Sequence, residues 1–265
     1  MSVLLELNWP DLPSNVAAAF TLRGADSEGE CRNRPYAAFN LATHVGDDPA
    51  AVEANRRRLG TLLKLPCEPV WLRQVHGRAV LDLDNLPAAN PGSAFEADAA
   101  VASKIGPVCA VQVADCLPVL FASLDGSRIG AAHAGWRGLA GGVLEATICA
   151  LRVEPQKLTA WIGPGISQEH FEVGDEVRVA FDAAAGFAAN ARGRWQCDLA
   201  GLAARRLHAA GLTSIAMAGE CTFSDPGRFF SYRRDRVCGR MAALIWRSAR
   251  AEVPAPPGLK ARKLP

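Results

Sequence analysis

The stretch VQVADCLPVLFASLDGSRIGAAHAGWRG, residues 111–138, decides the fold of this chain. Two of its apolar runs, residues 119–123 and 128–134, have the composition of buried strands. Asp125-Gly126 stands between them, and this dipeptide is the strongest short-range signal for a β-hairpin. The stretch therefore predicts two antiparallel strands joined by a tight turn.

The predicted turn fixes which residues of the hairpin face each other. Counting back from a two-residue turn puts Cys116 opposite Gly135. His133 lies two residues from Gly135, on the same face as Cys116, at a diagonal separation of about 7–8 Å. Pro118 leaves a second register open, because proline cannot donate to a strand ladder and a bulge there shifts the pairing by one residue.

Three residues in this half of the chain form a candidate metal site. His76, Cys116 and His133 stand in RQVHG, VADCLPVLF and GAAHAGWRG. Two imidazoles and one thiolate leave one position vacant on a zinc ion, which is typical of a catalytic site. We predict that His76 closes a separate strand over residues 70–75. The alternative reading is a small core cysteine and two ordinary loop histidines. The presence of all three residues in such contexts favours the interpretation that the chain is an enzyme.

The segment AGWRGLAGG follows His133 and predicts a helix over residues 138–151. A helix start of this kind offers free N–H groups and a positive dipole end, so we predict an anion site there, with Arg137 as a further donor. The alternative is that the glycines only permit a tight turn. Asp115 has two readings as well: a carboxylate that orients a histidine ligand, if the chain bulges at Pro118, or a turn residue.

Other patterns along the chain predict an α/β order of strands and helices. We expect a helix that starts at Pro49 after an aspartate cap, and another over residues 199–210 that Asp198 caps and Gly211 ends. The remaining expected elements are strands over residues 15–23, 111–114, 159–162, 214–218 and 240–246 and a helix over residues 174–185.

Composition excludes several classes of protein. The chain has 265 residues, 49% of them apolar, and a net charge of +2, so it can bury a sizeable core and gives no reason to expect nucleic acid or an anionic membrane as a partner. Neither a signal peptide nor a membrane span is expected, and eight cysteines without a pairing pattern fit a reducing cytoplasm. We predict one domain over residues 1–250 and a disordered tail rich in proline and lysine over residues 251–265.

A series of separated motifs resembles the laccase-domain or polyphenol-oxidase family of YfiH-like proteins. They occur in this order: TLRG, FNLATHVGDDPAAVEANRRRL, RQVHG, EADAAVAS, ADCLPVLF, AAHAGWRGLAGG, WIGPGIS, FEVGDEV, DLAGL, GECTF and FFSYRRDRVCGRMAALIW. The resemblance covers residues 20–246, nearly the whole chain. Two departures stand out: residues 24–39 form a longer and more polar loop, and Gly165 stands where many members have cysteine.

The resemblance implies a single-domain α/β fold, a three-layer mixed sheet with helices, in a cytoplasmic enzyme. It implies that His76, Cys116 and His133 bind the metal and that Arg23 and Asn40 contact the substrate. Family members are described as purine nucleoside phosphorylases acting on adenosine, inosine and methylthioadenosine, with adenosine deaminase activity. Older descriptions call them copper-dependent polyphenol oxidases, and some bacterial members are described as peptidoglycan editing factors.

Three functions follow for the candidate site. Zinc-dependent nucleoside chemistry, with nucleoside and phosphate as small-molecule partners, fits an open three-ligand site. A copper oxidase fits the same ligand set, but five histidines are few for several coppers, and Met1, Met217 and Met241 all lie far from the three ligands in sequence. A metal-free hydrolase with Cys116 as nucleophile and His133 as its base uses the same residues.

Overall fold

A computed structural model describes residues 3–24, 35–36, 38–86, 95–181 and 185–248. The predicted tail over residues 251–265 and most of the polar loop within residues 24–39 lie outside the described residues. The strands are β1 (Leu4–Leu5), β2 (Val16–Thr21), β3 (Val80–Asp82), β4 (Ala99–Ala102), β5 (Val108–Val113), β6 (Leu117–Ser123), β7 (Ile129–Ala134), β8 (Leu158–Ile162), β9 (Glu172–Val173), β10 (Phe187–Ala189), β11 (Trp195–Cys197), β12 (Ser214–Met217) and β13 (Met241–Arg247). The α-helices are α1 (Pro49–Leu63), α2 (Trp136–Ala140), α3 (Val143–Leu151), α4 (Asp175–Ala180), α5 (Leu199–Ala209) and α6 (Tyr232–Asp235).

Two stacked sheets form the centre of the molecule. One is antiparallel with the order β1-β2-β13-β5, and the other is mixed with the order β12-β8-β6-β7-β4-β3. Alternate residues of the strands face opposite layers, so apolar side chains between the sheets make one core and those on the outer faces make two more. Helix α1 covers the first sheet, and α3 and α5 cover the second. The predicted α/β class is confirmed, and the structure refines the three-layer expectation by dividing most of the strands between these two sheets. A third, small sheet has the order β10-β11-β9.

The hairpin has the predicted register. Leu117 faces Ala134 and Pro118 faces His133, so the pairing passes through the proline without a shift. A bulge at Pro118, the alternative register, is therefore wrong. The turn itself bends at Gly126, where φ is +66°.

Two predicted helix starts and one predicted stop are confirmed. The Asp48 side chain accepts from Ala50 N at the start of α1, and the Asp198 side chain accepts from Gly201 N at the start of α5. Gly211, just past α5, has φ +98°, the left-handed conformation that ends many helices. The strands expected at residues 15–23, 111–114, 159–162, 214–218 and 240–246 are present within a few residues of those bounds.

Three predicted elements are wrong in extent. Within residues 70–75 only isolated bridges form, and no strand. The Gln74 side chain accepts a hydrogen bond from Gln112 N at 2.7 Å and donates one to Gln112 O at 2.8 Å, so these two backbone groups are not free to pair with a strand here. The helix expected over residues 138–151 is two helices, α2 and α3, since Gly142 adopts φ +90° between them. Helix α4 ends at Ala180 rather than at residue 185.

Within the described ranges, no helix is both long enough and apolar enough to cross a bilayer. The single domain over residues 1–250 stays a prediction.

Candidate metal centre

Four neighbouring strands of the mixed sheet bring the candidate residues to one end of the sheet. These strands lie side by side in the order β6, β7, β4 and β3. Cys116 stands just before β6, His133 is the second-last residue of β7, Asp98 stands just before β4, and His76 lies in the loop that leads to β3. Because β6 and β4 start where β7 ends, all of these side chains meet at the same end of the sheet.

The three predicted ligands form one cluster. Their donor atoms all lie within 4.8 Å of one another, and this is the one group of three or more potential metal donors found in the described part of the chain. Cys116 Sγ lies 3.9 Å from His76 Nε2, and the two imidazole rings meet edge to face with centroids 4.8 Å apart. His133 is buried, Cys116 is half-buried and His76 is exposed, so the cluster opens to solvent on the His76 side.

A glycine leaves the space between the predicted ligands free. A Cβ atom at Gly135 would lie 2.9 Å from Cys116 Sγ and 2.8 Å from His76 Cδ2, closer than real Cβ contacts. The Gly135 backbone itself is ordinary, with φ −64° and ψ 158°. Space, and not conformation, therefore requires glycine here. A thiolate and two imidazoles around this cradle fit a zinc-type ion.

A buried carboxylate stands behind the cluster. Asp98 is completely buried, and its Oδ1 accepts from His133 Nδ1 at 2.8 Å and from His76 N at 2.9 Å. Its Oδ2 accepts from Val75 N at 3.1 Å and from Gly77 N at 2.6 Å. Burial raises the pKa of Asp98, but the hydrogen bond from His133 and those from the backbone lower it more, and the net direction is down.

The cluster residues shift each other's protonation. Burial would raise the pKa of Cys116, but the charge of His133 and hydrogen bonds from both histidines lower it to about 6. Burial would lower the pKa of His133, but the Cys116 thiolate and the Asp98 carboxylate raise it to about 9. Without metal, the site near pH 7 therefore holds a thiolate beside an imidazolium.

Asp115 has the turn role and not the ligand-orienting role. Its φ is +91°, and its carboxylate accepts from Thr222 Oγ1 at 2.7 Å and from Arg233 N at 2.6 Å. Its carbonyl oxygen accepts from Ile166 N at 2.9 Å. These bonds fix the tight connection between β5 and β6 that delivers Cys116. The carboxylate that contacts the predicted ligand His133 is Asp98, which is not among the residues predicted for the site.

The predicted start of this helix is wrong by two residues. The helix begins at Trp136 with Gly135 as its N-cap, so Gly138 lies in the first turn of α2. The anion site at this helix start stays a prediction. A Cβ at Gly138 would lie 2.8 Å from the Gly77 carbonyl oxygen, so this glycine permits close packing of α2 on the His76 loop. Arg137 is exposed, and its guanidinium lies over the Trp136 ring at 4.4 Å.

The two expected substrate contacts lie inside the protein. Arg23 is buried, donates to Pro226 O at 2.8 Å and lies over the Phe230 ring. The Asn40 amide is engaged on both sides: its Nδ2 donates to Ala42 O and Asp47, and its Oδ1 accepts from backbone N–H groups. Their contact with substrate stays a prediction.

One signal in the sequence points to Asp98. It stands in EADAAVAS, directly before the apolar run that becomes β4. A charged residue at the entrance of a buried strand is rare unless it is paired, so its position alone is informative. Its partners, however, come from segments 22 and 35 residues away, and only the fold brings them together.

Comparison with known proteins places these features in a family. Residues 17–248 match the family model described as multi-copper polyphenol oxidoreductase laccase. The chain belongs to this family.

Relatives within the family cover nearly the whole chain. A purine nucleoside phosphorylase of Pseudomonas aeruginosa is 46% identical over 252 residues, which are 93% of this chain and 99% of that protein. The purine nucleoside phosphorylase YfiH of Escherichia coli K12 is 45% identical over 250 residues, with the same two coverages.

Solved structures show the same fold. The crystal structure of a Neisseria meningitidis protein has a TM-score of 0.83 and 39% identity over 94% of this chain and 100% of that one. The crystal structure of YlmD from Geobacillus stearothermophilus has a TM-score of 0.82 and 29% identity, covering 93% of this chain and 97% of that one. The predicted family and the α/β fold are therefore confirmed.

Proposed function

We propose that this chain is a metal-dependent purine nucleoside phosphorylase whose reaction takes place at the His76–Cys116–His133 cluster. The observation that carries the proposal is an open cluster of three donors in a protein that shares nearly half of its sequence with two phosphorylases over their full length. The partners are then a purine nucleoside, such as adenosine, inosine or methylthioadenosine, and inorganic phosphate.

Zinc is the metal that we propose for the cluster. A thiolate and two imidazoles form a tetrahedral set with one place left for a substrate or water. When bound, zinc supplies a Lewis acid and lowers the pKa of water at that place, and the second effect is what the proposed adenosine deaminase activity requires. Elemental analysis of protein purified without added metal should find about one zinc per chain. Full activity in metal-free protein would refute this part.

The chain's own residues prepare the site. Asp98 accepts a hydrogen bond from His133 Nδ1, so the other ring nitrogen is left for the cluster. His76 is exposed and His133 is buried, so the substrate enters the cluster from the His76 side. His76→Ala, Cys116→Ala and His133→Ala should each lose activity and most of the metal while circular dichroism stays native. Metal retained by Cys116→Ala would show that Cys116 is no ligand.

We assign phosphate binding to Arg137. It is exposed directly after the cradle residue Gly135, and the Trp136 ring holds its guanidinium in place. Arg137→Ala removes a charged hydrogen bond, which contributes about 1.5–3 kcal/mol to binding. The apparent KM for phosphate should therefore rise roughly tenfold to hundredfold, while the metal content stays the same. Arg57→Ala, which removes an exposed charge from α1, the helix that covers the other sheet, is the matched control. Equal phosphate KM values in both variants would refute the assignment.

The reaction type is tested by leaving out phosphate. A phosphorylase releases free base from inosine only when phosphate is present and yields ribose 1-phosphate, whereas deamination of adenosine needs water alone. Chromatography of both reactions with and without phosphate separates these activities. Base release that ignores phosphate would mean hydrolysis and would contradict the proposal.

Two other functions use the same residues. The family description favours a copper-dependent polyphenol oxidase, but the described residues hold a single three-donor cluster and a multicopper centre needs more. The thiolate–imidazolium pair of Cys116 and His133 favours a Cys–His hydrolase, such as one acting in peptidoglycan editing. Rapid phenol oxidation by copper-loaded protein in air, with none by zinc-loaded protein in copper-free buffer, would support the oxidase, and full activity without metal would support the hydrolase.

A further inference from the structure

The position of Asp98 sets it apart from every other carboxylate near the cluster. It is completely buried and accepts four hydrogen bonds, one from the His133 side chain and three from consecutive backbone N–H groups. Its own carbonyl oxygen accepts from His133 N at 2.7 Å. Both oxygens of the side chain are therefore fully engaged with the segments that carry two of the three donors.

The first consequence concerns the tautomer of His133. An ionised carboxylate only accepts hydrogen bonds, so the His133 Nδ1 atom at 2.8 Å from Asp98 Oδ1 carries the proton. The lone pair then resides on Nε2, the ring nitrogen that is left to face the cluster. A neutral imidazole can bind a metal only through a nitrogen without a proton, so the carboxylate selects the ligating atom.

The second consequence concerns His76. This residue has φ +60°, a left-handed conformation that is uncommon for a residue other than glycine. Successive N–H groups of Val75, His76 and Gly77 converge on the Asp98 carboxylate, which forms the kind of concave anion nest that such a conformation creates. These hydrogen bonds hold the loop in a conformation that a residue with a side chain keeps only where its surroundings stabilise it.

We propose that Asp98 is the positioning residue of this site, which fixes the Nδ1–H tautomer of His133 and holds the left-handed turn of His76 so that both imidazoles face Cys116. The inference rests on the proposed function of the cluster as a metal site. Asparagine cannot replace aspartate in this role, because its –NH2 group would face two of the four groups that donate to Asp98.

The test is the zinc affinity of Asp98→Asn, measured by competition with a chromophoric chelator on the full chain. Outer carboxylates of this kind change metal affinity by about 10–100-fold, and we expect a loss of that size with cysteine and both histidines intact. Asp84→Asn is the matched control: Asp84 likewise accepts from two successive backbone N–H groups, those of Ser103 and Lys104, and it contacts none of the three donors. It should lose stability but keep wild-type zinc affinity.

A spectroscopic measurement keeps the proposal testable if Asp98→Asn does not fold. In ¹⁵N-histidine spectra of zinc-loaded wild-type protein, His133 should carry its proton on Nδ1, with a proton resonance protected from solvent exchange. A proton on Nε2, or wild-type zinc affinity in folded Asp98→Asn, would overturn the proposal. Neither readout depends on turnover, so a wild-type protein that binds zinc but cleaves no nucleoside would refute the proposed function and leave the role of Asp98 standing.

Discussion

Gly135 occupies a position where a single methyl group would enter the space between two predicted ligands. We expect Gly135→Ala to fold, because its backbone angles suit any residue, but to displace His76 or Cys116 from contacts of 2.8 and 2.9 Å. Overpacking of this kind costs about 1–3 kcal/mol, which corresponds to roughly a tenfold to hundredfold loss of zinc affinity. Gly60→Ala in α1, where nothing lies within 4 Å of an added Cβ, is the control and should be slightly more stable. Unchanged zinc affinity in Gly135→Ala would show that the metal does not use this space.

The thiol of Cys116 should be unusually reactive in metal-free protein. Its pKa is lowered to about 6, so it is mostly thiolate at pH 7, and its alkylation by iodoacetamide should slow as the pH falls through about 6. Cys67 is exposed, but the partial burial of its thiol raises its pKa. Its labelling should therefore need a higher pH, and it serves as the internal reference. Peptide mapping by mass spectrometry measures both rates, and zinc should protect Cys116 alone. Equal rates for both cysteines at pH 7 would contradict the thiolate–imidazolium pair.

At the scale of elements, what could be predicted depended on how local the determining contacts are. The hairpin register followed from Asp125-Gly126, because a tight turn fixes every pair behind it. The strand expected over residues 70–75 failed because a side chain, that of Gln74, satisfies the backbone of another strand. The helix over residues 138–151 failed because apolar spacing continues across Gly142, where the backbone turns left-handed.

The hairpin turn itself can be weakened without loss of the site. Gly126→Ala places a side chain at φ +66°, which costs about 1–2 kcal/mol, and its Cβ would overlap the Asn15 amide. We expect the free energy of unfolding in urea to fall by at least that amount while zinc content stays at the wild-type level, since six residue pairs hold the strands in register between the turn and Cys116. A variant of unchanged stability, or one that loses zinc while folded, would contradict this account of the hairpin.

At the scale of the whole molecule, the site depends on the order of the strands in the sheet. The sequence predicted the three donors from their local contexts, and the hairpin placed two of them side by side. Strands β7, β4 and β3 are neighbours in the sheet, and this order places His76 and Asp98, which come earlier in the chain, beside His133. The order of strands is a tertiary property that no local sequence pattern encodes. The same reason explains why the candidate site was predicted without the carboxylate that supports it.

Metal removal should lower the stability of the whole chain without unfolding it. The three apolar cores contain none of the three donors, so the fold has its own source of stability. Zinc that binds only the folded state adds stability by mass action, about 4 kcal/mol when free zinc exceeds its Kd a thousandfold. Thermal unfolding followed by circular dichroism should therefore show a lower midpoint and an unchanged native spectrum after chelation. His76→Ala, which removes an exposed predicted ligand, should have an unfolding midpoint that depends little on the chelator. A chelated wild-type chain that is unfolded at 25 °C would instead mean that the metal holds the structure together, and the open site would lose its catalytic interpretation.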